Sequence, residues 1–501
     1  VSDRSFERWC LLGALVLILL ATWYSVGFYH YDEHFQLLEF AANFKHGLQP
    51  TTDVPWEYQA RIRPWFQPAV ALVILDVLER VGDTNPFHAA TCLRLLSGLL
   101  AWTALARLIG CSRFLFTSEP VRRYAIAASC FLWFVPFLSV RFSSESWAGA
   151  LFLLGYVPLV LLARAERVST MGLGMAGMML GLAFASRYQV GLLIAGALAW
   201  FLWAARPTMA QWGAVGFGFL LAVGGSLLLD RWGYGQWGLT PWRYVDYQVF
   251  QAIAARRFGS APWWAYGPRV IAAAGPPIGL LLLAGALAAW VRRPGSPLTW
   301  ASLPFFAVHC LLAHKELRFL FPLAPLAPFL AAQGLEAMPS RVRHAASSAP
   351  ARIAWAVLVL LNVVGLAVRT ILPARQEIAV ERAIYYEHAT RLLIVHGKDP
   401  FTVGDLHPHF YRDPRTEVRE LTGVAEGAGN GEFLKSVLSV WPASAGFDTT
   451  TLSCRIVYRS FPAWSLPEPL PVGWRWARSD PWTLAWCWAR DLGGGPRPHR
   501  D

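Results

Sequence analysis

Between residues 9 and 372 the chain is a succession of apolar runs joined by short polar segments, and most runs have the roughly 20 residues that a membrane-crossing helix needs. Residues 9–28, 88–109, 121–140, 145–163, 171–185, 188–205, 212–229, 270–290, 298–313, 319–337 and 352–372 predict about 11 transmembrane helices. The apolar run at 69–78 is too short to cross and predicts a surface helix. The first run is longer than a signal-peptide core and no small-residue cleavage site follows it, so it is read as a retained helix. From Arg375 the pattern changes to charged and turn-rich, which predicts a separate mixed α/β lobe over 373–492 and a disordered tail over 493–501. The domain plan is therefore a transmembrane body, 1–372, followed by that lobe.

Composition agrees with the pattern. Only 15% of residues are charged and mean hydropathy is +0.37, against about 25% charged in soluble proteins, which excludes a cytosolic enzyme, a disordered chain and a disulfide-rich mini-protein. The net charge of +12 is scattered between apolar runs rather than gathered into a nucleic-acid footprint, so a lipid bilayer and no nucleic acid is the expected partner. Arg113, Arg122, Arg123, Arg164, Arg167, Arg206, Arg292, Arg293, Arg341 and Arg343 fall in alternate loops on the N-terminal side, as cytoplasmic loops should. The long loops 29–87 and 230–269, the turns near Arg141 and Arg187, the turn 314–318 and the C-terminal lobe then face outward. Only four basic residues are Lys, a bias expected of a GC-rich genome, and the first-position Val fits a bacterial start codon. Most cysteines lie in apolar runs. Cys454 and Cys487 alone sit in the polar lobe, where an extracytoplasmic location would permit a disulfide.

Four outward segments carry candidate chemistry. Asp32 and Glu33 are adjacent carboxylates just beyond the first span; such a pair can supply a general base, although a plain helix N-terminus explains the dipeptide as well. Trp56, Glu57 and Tyr58 precede Arg61 and Arg63, two guanidinium groups among aromatics that suit a phosphate or, equally, lipid headgroups. His314, Lys315, Glu316 and Arg318 are crowded between two apolar runs, an expensive placement unless they face a polar cavity. Three of them could support a departing phosphate while Glu316 orients one; a salt-bridge knot is the plainer alternative. Asp230, Tyr234 and Trp237 open the second long loop, as sugar-stacking residues or an interfacial turn. No metal-binding spacing is present.

In order, these segments resemble glycosyltransferase family 22, the polyprenol-phosphate-mannose-dependent α-mannosyltransferases of lipid-linked oligosaccharide and glycosylphosphatidylinositol synthesis. His30, Asp32, Glu33, Phe35 and Gln36 are similar to its His-x-Asp-Glu-x-Phe-Gln signature, with Tyr31 where Pro is common. Trp56, Glu57 and Tyr58 resemble Thr-Trp-Glu-Tyr, and Arg63 with Pro68 resembles Arg-Ser-Tyr-x-x-Pro, Pro64 replacing Ser. Residues 314–319 match His-Lys-Glu-x-Arg-Phe in full, and Asp230, Tyr234, Gly235 and Trp237 resemble Asp-Ser-x-x-Tyr-Gly-x-Trp. Arg243 and Gln248 stand where the family has Asn, which bears on the acceptor. The likeness runs from Trp9 to about Ala337.

The resemblance implies an all-α polytopic GT-C fold, and an inverting transfer of mannose from a polyprenyl-phosphate donor to a glycan or glycolipid hydroxyl. It implies Asp32 as base with Glu33 as helper or alternative, and Arg61, Arg63, His314, Lys315, Arg318 and Arg187 as donor-phosphate ligands. His30, Gln36, Trp56, Glu57, Tyr58, Tyr234 and Trp237 become sugar or acceptor contacts, with Glu316 orienting. No cofactor is required, although a carboxylate pair beside phosphate could hold a divalent cation. A monomeric bacterial member is expected, in the inner membrane with its active site facing the periplasm; a eukaryotic one would face the endoplasmic reticulum lumen. The alternatives are a GT-C transferase of another lipid-linked sugar, glucose or arabinose, and a polytopic lipid or sugar transporter.

Overall fold

The computed structural model describes residues 3–47, 55–164, 166–341, 348–387, 392–397, 399–402, 408–413, 415–421, 437–442, 452–460 and 482–489. The predicted tail at 493–501 lies outside them. The chain divides into two compact units. The first comprises Val1–Tyr24, Glu57–Val77 and Thr91–Leu372; the second joins Ser25–Trp56 and Leu78–Ala90 to Pro373–Asp501.

Each predicted apolar run is helical over most of its length, but not every run is one helix. Among the described residues, Asp3–Tyr24, Pro86–Phe114, Ser144–Ala163, Tyr188–Ala205, Met209–Tyr234 and Ala349–Tyr386 are six stretches long and apolar enough to cross a membrane. Two bent pairs bring the count to as many as eight: Pro276–Arg292 with Pro297–Leu311 at 115°, and Leu317–Leu323 with Ala327–Glu336 at 68°. The chain is thus an integral membrane protein. The shortfall from 11 continuous spans has local causes. Run 121–140 breaks between Glu119–Phe131 and Phe134–Ser139, where Leu132 turns extended at ψ 129°. Run 270–290 breaks at Gly275 before Pro276, as a proline disfavours helical backbone ahead of it. Run 319–337 begins as the 3-10 turn Leu317–Leu323, which contains Pro322. Thr170–Ser186 is helical but short. The surface run 69–78 lies within the helix Phe66–Arg80.

The second unit holds a five-stranded sheet, β1 Leu392–His396, β2 Glu417–Leu421, β3 Val437–Pro442, β4 Leu452–Arg459 and β5 Trp482–Ala489, in the order β2-β1-β3-β5-β4. β1 pairs in parallel with β2 and β3, and β5 pairs antiparallel with β3 and β4. Period-2 alternation puts Leu393 and Val395, Leu438 and Val440, and Trp482 and Leu484 on one face, which packs on Val380 and Ile384 of the helix Gln376–Tyr386. Cys454 and Cys487 face each other across β4 and β5, with Cα atoms 4.2 Å apart, and are disulfide-bonded. Ser25–Trp56 contributes a short helix, Tyr31–Glu33, running into a π-helical turn, His34–Leu38, and the helix Glu39–His46.

Candidate active site

The residues singled out from sequence fall in both units, and each share has its own geometry. In the second unit, His30 caps the helix Tyr31–Glu33: its Nδ1 accepts the Asp32 N–H at 3.3 Å. His30 Nδ1 also lies 3.5 Å from Asp32 Oδ1. Glu33 closes the capping box, Oε2 accepting from Tyr29 N–H at 3.3 Å and Oε1 from His30 N–H at 3.2 Å. The two adjacent carboxylates are therefore unlike. Glu33 is 7% exposed and committed to the backbone, whereas Asp32 keeps its side chain 21% exposed. Gln36 is buried in the π-helical turn rather than presented at a surface. Trp56, at the other end of this segment, opens the helix Trp56–Ala60.

In the first unit three arginines converge. Arg187, in the turn after Thr170–Ser186, places Nη2 3.3 Å from Glu145 Oε1, and Arg318 places Nη1 3.4 Å from the same oxygen. Both guanidinium carbons lie 5.3 Å from the centroid of Phe319. Arg63, with a 5.8 Å cation–π approach to Tyr244 and Glu57 3.9 Å away, is close enough to act electrostatically on Arg187, as Arg318 does. All three are buried, as are Glu57 and Glu145. Like charges gathered out of water are tolerable only with counter-charges, and here the carboxylates serve. Gln189 and Ser144 complete the grip on Arg187, at 3.1 and 3.4 Å.

The His-Lys-Glu-x-Arg-Phe segment divides its labour. Glu316 bridges His314 at 2.9 Å and Arg318 at 2.5 Å. His314 Nδ1 also contacts the Gly259 carbonyl at 3.0 Å, and its pKa is raised, chiefly by the hydrogen bond to Glu316. Lys315 donates to the carbonyls of Ala261, at 3.0 Å, and Leu312, while Arg269 donates to the Lys315 carbonyl. His314 and Lys315 thus stitch the second long loop to this turn. Arg61 occupies a left-handed turn at φ +53°.

The Asp230 segment is a brace. Asp230 Oδ1 accepts the Trp65 N–H at 2.7 Å, and the Tyr234 hydroxyl donates to the Arg63 carbonyl at 2.7 Å, so one helix end fixes the backbone on both sides of Pro64. A Cβ on Gly233 would lie 2.1 Å from the Trp65 ring, which is why glycine stands there. Tyr58 packs on Tyr234 with centroids 5.5 Å apart. Trp237 is 66% exposed with Arg231 over its ring, outside this brace. Glu145 is the site residue that sequence reasoning missed; its signal was an acid opening an apolar helix, which also reads as an ordinary first-turn carboxylate. Among the described residues no group of three or more His, Cys, Asp or Glu is placed to hold a metal ion.

A polytopic helical body with an appended sheet lobe puts the protein in the GT-C class of glycosyltransferase folds. The crystal structure of ArnT from Cupriavidus metallidurans bound to undecaprenyl phosphate superposes with a TM-score of 0.53 at 13% identity, covering 99% of this chain and 100% of that one. The chain belongs to the Alg9-like mannosyltransferase family, whose model matches residues 9–392. Mannosyltransferase APTG1 of Arabidopsis thaliana is 24% identical over 331 residues, 65% of this chain and 57% of that protein. GPI alpha-1,2-mannosyltransferase 3 of Xenopus laevis is 26% identical over 309 residues, 59% of this chain and 54% of that protein. The chain thus spans little more than half the length of these relatives.

Proposed function

We propose that the protein is an inverting glycosyltransferase that moves mannose from a polyprenyl-phosphate-mannose donor to a hydroxyl of a glycan or glycolipid, forming an α-mannoside. The observation that carries this reading is the pair Arg187 and Arg318 on Glu145, with Arg63 on Glu57 beside it: buried guanidinium groups, pre-oriented by carboxylates, are the chemistry that a lipid-linked phosphate requires. Family membership supports mannose as the sugar. The acceptor oxygen attacks the anomeric carbon as its proton passes to the Asp32 carboxylate. The bond from that carbon to the phosphate oxygen breaks, and polyprenyl phosphate leaves with the electron pair. The arginines stabilise the charge that grows on the phosphate, which is where electrostatic catalysis acts. Asp32 rather than Glu33 is the base, because Glu33 is consumed by the capping box. The loop arginine pattern supports an extracytoplasmic site, periplasmic in a bacterial cell.

The test is transfer of labelled mannose from synthetic polyprenyl-phosphate mannose in membranes holding the wild type, Asp32→Asn or Arg187→Met, with nucleotide-activated mannose as control donor. Transfer by wild type from the lipid donor alone, lost in both variants, is the expected result. Wild-type transfer from the nucleotide donor would sink the reading.

A further inference from the structure

The sheet lobe has no part in the chemistry just described, yet its residues grip the segment that carries Asp32. All the contacts lie within the second unit. The Val26 carbonyl accepts the N–H groups of Ala374 and Arg375 at 2.8 and 3.2 Å. Gly27, at φ +93°, turns the chain so closely that a Cβ there would sit 2.8 Å from Arg375 Cβ. The Arg375 guanidinium then lies over the Tyr31 ring, 4.2 Å from its centroid, and 5.2 Å from that of Phe28. Glu377 steadies it at 3.6 Å. Tyr31 is the residue before Asp32 and opens the same helical turn. On the far side of that turn, His34 stacks on Tyr411 with centroids 5.4 Å apart and meets Glu39 at 2.6 Å. Glu39 in turn accepts the backbone N–H groups of His409 and Phe410 at 3.0 to 3.1 Å.

We infer that Arg375 is a positioning residue for Asp32, acting through the face of Tyr31, and that the lobe is the platform from which it acts; this rests on the transferase reading above. Three features separate the arrangement from ordinary packing. Arg375 is only 7% exposed, and a cation so buried needs a reason to be there. Its guanidinium lies over an aromatic face at a set height, 4.2 Å from the centroid of a Tyr31 ring that is itself 37% exposed. Behind Tyr31 and His34 lies a cavity of about 20 Å³, room for about one water, so close apolar packing does not by itself fix the turn. A base displaced by about 1 Å can lose about a hundredfold in rate, so the height of one ring is worth controlling.

The test is a double-variant cycle in the full-length chain in lipid nanodiscs: Arg375→Met, Tyr31→Leu and both together. Mannose transfer from synthetic polyprenyl-phosphate mannose to octyl α-mannoside is read beside amide hydrogen exchange over residues 29–36. Each single variant is expected to lower kcat about ten- to hundredfold with donor KM within about twofold, and the pair to be scarcely worse than the stronger single, because both cut one contact. Exchange over 29–36 should quicken in Arg375→Met while exchange over the sheet does not. Unchanged kcat, a loss confined to KM, or losses that multiply in the pair would each overturn the inference. Should Arg375→Met misfold, as faster exchange in the sheet would reveal, Tyr31→Leu and Arg375→Lys, which keeps charge but not plane, decide it by the same kcat criterion. If wild type transfers nothing from this donor, the transferase reading falls, and exchange decides the contact: quickening upholds Arg375 as holder of the turn, and no change removes it.

Discussion

At the scale of single residues, two adjacent carboxylates turn out to be unlike. The Asp32-Glu33 pair was legible in the sequence, but which acid closes the capping box was not, because that depends on Glu33 folding back on Tyr29 and His30. Asp32→Asn should therefore lower kcat by about 10²–10⁴, the range of a lost general base, whereas Glu33→Gln should cost about 1 kcal/mol of stability and less than about tenfold in kcat. Equal losses in initial-rate assays would remove the distinction. Glu145 is the counter-ion of Arg187 and Arg318, and Glu145→Gln leaves those charges buried without it. Breaking such a pair costs about 3–5 kcal/mol. A phosphate ligand can replace the missing charge, so added polyprenyl phosphate should raise the unfolding temperature of Glu145→Gln more than that of wild type; equal increments would place the phosphate elsewhere. No sequence pattern marked Glu145, since a lone acid at a helix start is commonplace and its two partners lie 42 and 173 residues on.

At the scale of elements, the broken runs show where period and length stop being informative. Residues 145–163 and 212–229 were legible as spans because they are long and strongly apolar, and they appear as Ser144–Ala163, which continues through Pro158, and Met209–Tyr234. Residues 121–140 have a similar length but carry Arg122, Arg123 and Pro136, and the helix ends at Leu132, a break whose position length alone does not give. The Asp230 segment was recognisable as a motif, but its bracing of the Arg63 loop was not, because that rests on hydrogen bonds to residues far away in sequence. Gly233→Ala would push Trp65 aside and should raise donor KM at least several-fold while leaving the helix Met209–Tyr234 intact; an unchanged KM would separate the brace from the donor site. The His314–Glu316 pair makes a pH prediction. Because the folded pKa of His314 is raised, the pair's contribution is complete below the ordinary 6.5 and is lost as pH rises through the raised value. Wild type should lose thermal stability above about pH 6.5 more steeply than His314→Gln, and parallel pH curves would show that the pair contributes nothing.

At the scale of the whole molecule, the change of composition near Arg375 correctly announced a mixed lobe, but nothing local announced that residues 25–56 belong with it. Their tie to the lobe runs through pairs such as Glu39 with His409, 370 positions apart. The Cys454–Cys487 bridge closes a loop with a sequence separation of 33, and in the chain-entropy model such a loop is worth about 3–4 kcal/mol. Reduction should lower the temperature at which the lobe melts without shifting that of the helical unit; a common shift of both would mean that they melt together. The span between Glu39 and Phe410 also sets an order of events in time. At about 5–20 residues per second, a ribosome that has made Glu39 works for roughly 20–70 s before it makes the backbone amides that Glu39 holds. Throughout that interval every apolar helix after the first is synthesised while the Asp32 segment still lacks its seat. The newborn protein is thus inserted first and armed last.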